Sequence, residues 1–280
     1  MFRRCLRHLN WLVIILTVST VPGCREAGND QGPGHRAQHL ALTPEEELTL
    51  GTRAYNEFLA KNRDRIVPDG PEVHRVKQVG QRIVQAAMIR PLQREINLHF
   101  NSAFYQWQYT VFRDKQINAF CMPGGKIGVF TGLLQVVGNS DDQLAAVLSH
   151  EVSHALAHHV SERLAQQHML GPARQSDDPK QHNRIVDILA GLSGLAHDRA
   201  QESEADHIGL FLMTFAGYDP EQAVVFWERM RQVMANQPHP PEILSDHPSD
   251  NQRVEQMKKW VPLARAAKQA YDSGRIAPGS

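Results

Sequence analysis

Cysteine is scarce: Cys5, Cys24 and Cys121 are the only three in 280 residues. The first two fall in a leader-like stretch, so a processed chain would keep Cys121 alone, and a disulfide framework is excluded. Net charge is missing as well. Thirty Lys and Arg balance thirty Asp and Glu. No basic block follows the first few residues, so the charge pattern gives no reason to expect a nucleic-acid partner. Long apolar runs are lacking too. The most apolar stretch, Trp11–Val21, falls well short of the roughly 18 residues that span a bilayer. No repeat of about 20–50 residues is present, which removes solenoids and propellers. What remains is a chain with 41% hydrophobic content, enough for one sizeable core, and with fifteen histidines.

The beginning reads as targeting. Basic Met1–His8 precedes the apolar Trp11–Val21, as in a signal peptide over 1–23. The stretch "VPGC", Val21–Cys24, resembles a bacterial lipobox, in which cleavage before the cysteine leaves it lipidated. Arg25 follows, where aspartate would signal inner-membrane retention. The expectation is a chain lipid-anchored at Cys24 on the periplasmic face of the outer membrane; a plain signal peptide would instead leave it soluble in the periplasm. Residues 24–40, rich in Gly, Asn, Gln and Pro, are expected to form a flexible tether, leaving 41–275 as one domain.

That domain reads as α+β and mainly helical. Thr43, Pro44 and the acids behind them open a helix, and a second is expected over Glu72–Met88. "EINLHFN", "WQYTVFR", "INAFCM" and "KIGVF" are short and β-branched or aromatic, the pattern of strands. Asp141–His168 keeps a helical period throughout. Gly171–His182 reads as a mobile loop that could serve as a lid. Helices are expected at about Arg184–Leu195, Asp198–Ala216, Pro220–Ala235 and Asn251–Gln269, with the proline-rich Asn236–Asp250 between the last two.

Inside the long helix lies "HEVSH". His150 and His154, at i and i+4, differ by about 40° around a helix and face one point, as metal ligands must. Glu151 sits about 100° further round, placed to hold a water. A chance match in a chain of this composition is expected roughly 0.04 times, so context has to carry the assignment. A zinc site that hydrolyses needs a third protein ligand and an open position. His158 continues the spacing, yet one straight helix cannot wrap three side chains round an ion. His158 and His159 therefore read as ordinary, partly exposed residues. Downstream, Glu202 and Asp206 in "AQESEADHIGL" share a helix face, and Glu204 points elsewhere, solvated or salt-bridged.

Together, "LSHEVSHALAHH", "ESEAD" with "HIG" behind it, and "INAFCMPGGKIGVFTGLL" resemble the zinc metallopeptidase family of the HtpX heat-shock protease, the CAAX prenyl protease and the mitochondrial Oma protease. This is peptidase family M48, and the short bacterial envelope members such as LoiP and BepA are the nearest in layout. The resemblance covers about Leu40 to Trp260. It implies a zincin-like (gluzincin) domain with a small sheet beside the active-site helix, and one Zn2+ held by His150, His154 and Glu202. It further implies Glu151 as general base, and Asp206 as a proton-donating carboxylate or one that orients a ligand histidine. By the same resemblance, Gly125, Lys126, Ile127, Gly128 and Val129 form an exposed edge strand for substrate, and His247 in "DHPSDNQR" approaches the metal as a gate. The implied function is endoproteolysis of misfolded or unassembled envelope proteins, with polypeptide substrates, no nucleic acid, and possible contact with envelope assembly machinery as partners. The competing expectation is a metal-stabilised lipoprotein chaperone with little turnover, against which an intact Glu151 argues.

Overall fold

The first long helix starts where its capping signals stand. In the computed structural model, which describes residues 33–167, 179–190, 197–235, Ile243, His247 and 251–275, α1 runs Pro44–Lys61 with a reciprocal Thr43/Glu46 capping box. α2 (Pro71–Ala86) and the short α3 (Arg90–Glu95) follow. "EINLHFN", expected as a strand, is the end of α3 and the connection after it. The signal segment, Cys24 and residues 168–178 lie outside the described residues. The end of the expected loop does not: Pro179 already belongs to a helix. Residues 33–40, inside the expected tether, lie against the domain. Pro33 and Gln38 are buried, and Gly34 N–H donates to Ile96 O.

Four strands form one sheet in the order β1-β2-β4-β3, with β1 at Ile66–Val67, β2 at Gln108–Phe112, β3 at Ala119–Met122 and β4 at Lys126–Phe130. β4 pairs parallel with β2 and antiparallel with β3. The period of two sorts side chains between two cores. Val111, Ala119, Cys121, Ile127 and Val129 join the main core. Phe112, Phe120, Met122 and Phe130 face the opposite way, into a cluster closed by Tyr55 and Phe58 of α1. Phe58 meets Phe112 and Phe120 edge-on at 5.1 Å each, a favoured aromatic geometry. Because both faces are covered and both edges paired, β4 is an internal strand.

After α4 (Thr131–Val137) comes α5, Asp141–Leu156, capped by Ser140. From Gln143 onward α5 is buried on every side, packed against α2, β3, α8 (Arg199–Phe215) and α9 (Glu221–Ala235). The helix expected to continue to His168 breaks. His158 adopts the left-handed conformation at φ 56°, uncommon for a residue with a Cβ, and α6 (His159–Gln166) leaves in a new direction. α7 (Pro179–Ala190) lies on α1, and α10 (Asn251–Asp272) packs on α8 and α9. No helix among the described residues is long and apolar enough to cross a membrane.

Candidate metal centre

Two imidazoles project from α5 with their Nε2 atoms 3.0 Å apart, as the four-residue spacing of His150 and His154 requires. α8 approaches closely because Gly209 has no side chain: a Cβ there would lie 3.0 Å from His150 N. That approach delivers Glu202. Its Oε2 is 3.4 Å from His150 Nε2, and its Oε1 is 3.4 Å from His154 Nε2. His247 completes the group, with Nδ1 2.9 Å from Glu202 Oε1 and 3.2 Å from His150 Nε2. Ligand atoms around a tetrahedral zinc with bonds of about 2.1 Å stand about 3.4 Å apart. Three imidazoles and one carboxylate, buried and at these separations, fit a zinc-like divalent cation in both chemistry and spacing.

Electrostatics prepare the same outcome. Burial pushes the Glu202 carboxyl up, but the positive charges of His247 and Arg253 outweigh it and hold the group well below its usual range. Burial, then the neighbouring His197 and His150, keep His154 well below its ordinary value. Burial also opposes charge on His150, yet Glu202 and then Asp206 lift it to about 9. An ionised carboxylate and a neutral imidazole are the forms a cation binds; a metal would have to displace the proton of His150.

Each histidine of the quartet has a neighbour at its other nitrogen. Asp206 Oδ1 stands 3.0 Å from His150 Nδ1. Arg253 donates to both Asp206 oxygens at 2.7 Å, stands 2.8 Å from Glu202 Oε2, and lies over the Trp227 ring. His154 Nδ1 meets His159 Nδ1 at 2.8 Å, and the His197 ring stacks on His154 at 3.8 Å. Glu151 is buried beside the quartet, its Oε1 3.3 Å from His247 Nε2. Burial and then the Glu151 charge push the Cys121 thiol up, and β3 packs against α5, the helix that carries Glu151.

The structure thus brings together His150, Glu151, His154, Glu202, Asp206 and His247. It does not bring Gly125, Lys126, Ile127, Gly128 and Val129 to an open edge. β3 covers β4, Lys126 is wholly buried with Nζ donating to Gln106 O at 2.6 Å, and the sheet edge on that side is β3, packed against α5. His159 is buried rather than partly exposed, since the turn at His158 sends it back to His154. His158 instead meets Glu47 Oε2 at 2.5 Å. Glu204 is salt-bridged as expected, but buried. Sequence reasoning gave no role to Arg253, Trp227, His159 or Arg36. Arg253 alone carried a signal, standing six residues after His247.

Two histidines and a carboxylate from separate helices, with a further glutamate alongside, make the arrangement that metal-dependent hydrolases use. The chain belongs to peptidase family M48, whose sequence model matches residues 75–261. It is 32% identical over 232 residues to the mitochondrial metalloendopeptidase OMA1 of Schizosaccharomyces pombe, covering 81% of this chain and 64% of that protein. To the Saccharomyces cerevisiae protein of the same name it is 31% identical over 246 residues, covering 84% and 70%. Against the beta-barrel assembly-enhancing protease of Escherichia coli the figures are 26% over 179 residues, 59% and 37%. The chain therefore spans about two thirds of the yeast proteins' length and little more than a third of the bacterial one.

Proposed function

We propose that the protein is a zinc-dependent endopeptidase. The observation that carries this reading is the convergence of His150 and His154 with Glu202 of another helix, while Glu151 stays outside the ligand set. Zinc bound there would polarise a scissile carbonyl and make water acidic enough to attack near neutral pH. Glu151 takes the proton of the attacking water and returns it to the leaving amine nitrogen. Asp206, fixed by Arg253, orients His150. The outer edge of β3 accepts an extended substrate strand through backbone hydrogen bonds, a mode that favours unfolded polypeptide over any one sequence.

His247 supplies a resting state. Its imidazole stands against Glu202 and His150 and 3.3 Å from Glu151, so it would take the place of the attacking water and hold the base until it withdraws. Casein digestion tests both parts. Glu151→Gln keeps its zinc and loses about 10²–10⁴-fold in rate; unchanged cleavage removes Glu151 as base. His247→Ala digests severalfold faster than wild type, and equal or slower digestion ends the resting-state role. A chaperone without turnover would show no chelator-sensitive digestion in either variant.

We also assign the chain to the bacterial envelope, lipid-anchored through Cys24 at the periplasmic face of the outer membrane, acting on misfolded or unassembled envelope proteins. The Val21–Cys24 box, Arg25 behind it and the printed name of the E. coli relative support this. The yeast relatives are named as mitochondrial, so lipid labelling decides. Label on wild type but not on Cys24→Ser supports the anchor, and label on neither overturns it.

A further inference from the structure

His154 lacks the carboxylate partner that Asp206 gives His150, and a longer chain of contacts takes its place. His154 Nδ1 meets His159 Nδ1 at 2.8 Å, and His159 Nε2 meets Glu204 Oε2 at 2.8 Å. Arg36 then donates to Glu204 Oε2 from Nε at 3.1 Å and from a terminal nitrogen at 2.8 Å. The same guanidinium makes a two-pronged bond to Glu162 at 2.5 and 2.6 Å. Gln201 steadies Glu162 at 2.8 Å. Hydrogen bonding to Glu162, and then the Glu204 charge, keep Arg36 protonated against the cost of burial.

We propose that His159, Glu204 and Arg36 are positioning residues for His154, so that the segment Pro33–Gln38 is a working arm of the metal centre. The inference rests on His154 binding the cation through Nε2. With Nε2 taken, the only proton of His154 is on Nδ1, and that N–H donates to His159 Nδ1. His159 must then carry its own proton on Nε2, where Glu204 accepts it. One arrangement of protons satisfies the whole chain, and the two Arg36 hydrogen bonds fix where the terminal carboxylate points. Partners of this kind fix the tautomer and ring orientation of a metal ligand.

The arm is built for that contact. Gly34, at φ 70°, lies so close to Glu204 that a Cβ would stand 2.7 Å from Oε1. Gln38 Nε2 donates to Ala157 O at 2.8 Å, at the end of α5. The left-handed turn at His158 follows that carbonyl and brings His159 under His154.

Zinc affinity of the full chain, measured by competition with a chromophoric chelator, tests this. Losing a partner of this kind costs typically about 10–100-fold in metal affinity. His159→Phe is expected to weaken zinc binding by that factor, and saturating zinc should restore most of kcat with KM unchanged. His159→Asn, whose side-chain oxygen can still accept from His154, should recover most of the affinity. Arg36→Gln, at a half-buried position, should weaken zinc binding severalfold with the fold intact by circular dichroism. Wild-type zinc affinity in both His159→Phe and Arg36→Gln overturns the inference. So does a folded His159→Asn as weak as His159→Phe. Should His159→Phe fail to fold, Arg36→Gln and His159→Asn give the answer. If wild type itself binds no zinc, the reading of His154 as a ligand has failed instead.

Discussion

Single residues decide the chemistry at this site by what stands behind them. His150 and His154 look equivalent in "HEVSH", yet one is backed by Asp206 and Arg253 and the other by an imidazole, a carboxylate and an arginine from 118 positions upstream. The His150/His154 pair was legible because a four-residue spacing on a helix fixes direction, and Glu202 because "ESEAD" resembles the family's motif. Their backing groups were not, because nothing local ties Arg36 or His159 to them. His158 shows the same limit and offers a test away from the metal. Burial opposes its charge, but Glu47 raises it above the ordinary 6.5. Stability from this pair is therefore fully present below pH 6.5 and is lost as pH rises through the raised value. His158→Gln should lower stability in mildly acidic buffer by about 1.5–3 kcal/mol, the worth of one charge-assisted bond, here part-buried. The difference from wild type should vanish in alkaline buffer. A pH-independent difference would mean that packing, not charge, holds His158.

At the level of elements, the centre depends on how closely α8 can lie on α5. Gly209 sets that distance, and Gly209→Ala pushes a methyl toward the His150 backbone. Overpacking of this kind costs about 1–3 kcal/mol. Here it should also weaken zinc binding, since Glu202 and Asp206 ride on α8. Lower stability with wild-type zinc affinity would show that the two helices can part without opening the site. The residues gave element types more readily than pairing. "KIGVF" alternates correctly for a strand, but alternation does not say which strand is the edge, and the β3 hairpin encloses it. Periodicity also runs unbroken through Ala157 and His158, because a left-handed residue changes direction without changing composition.

Across the whole molecule, a cation held by the quartet would join parts that are distant in the chain: α5, α8 and the segment carrying His247. A ligand bound only by the folded state stabilises it by about 4 kcal/mol at a thousand times its dissociation constant. Chelation should therefore lower the melting temperature by several degrees and readdition of zinc should restore it; an unmoved transition would mean the ion is not a cross-link. The segment expected to be a slack tether turns out, from Pro33, to be part of the fold, because its Arg36 and Gln38 satisfy buried carboxylates and the α5 terminus. Composition identifies solvated linkers and is blind to such contacts. The most direct test of the central claim is X-ray absorption at the zinc edge on the purified chain, with elemental analysis. The account predicts one zinc per chain and a shell of nitrogen and oxygen alone at about 2.0–2.1 Å, with zinc content falling sharply in Glu202→Ala. A sulfur neighbour at about 2.3 Å, implicating Cys121, or a Glu202→Ala protein with an unchanged shell and full zinc content, would contradict it.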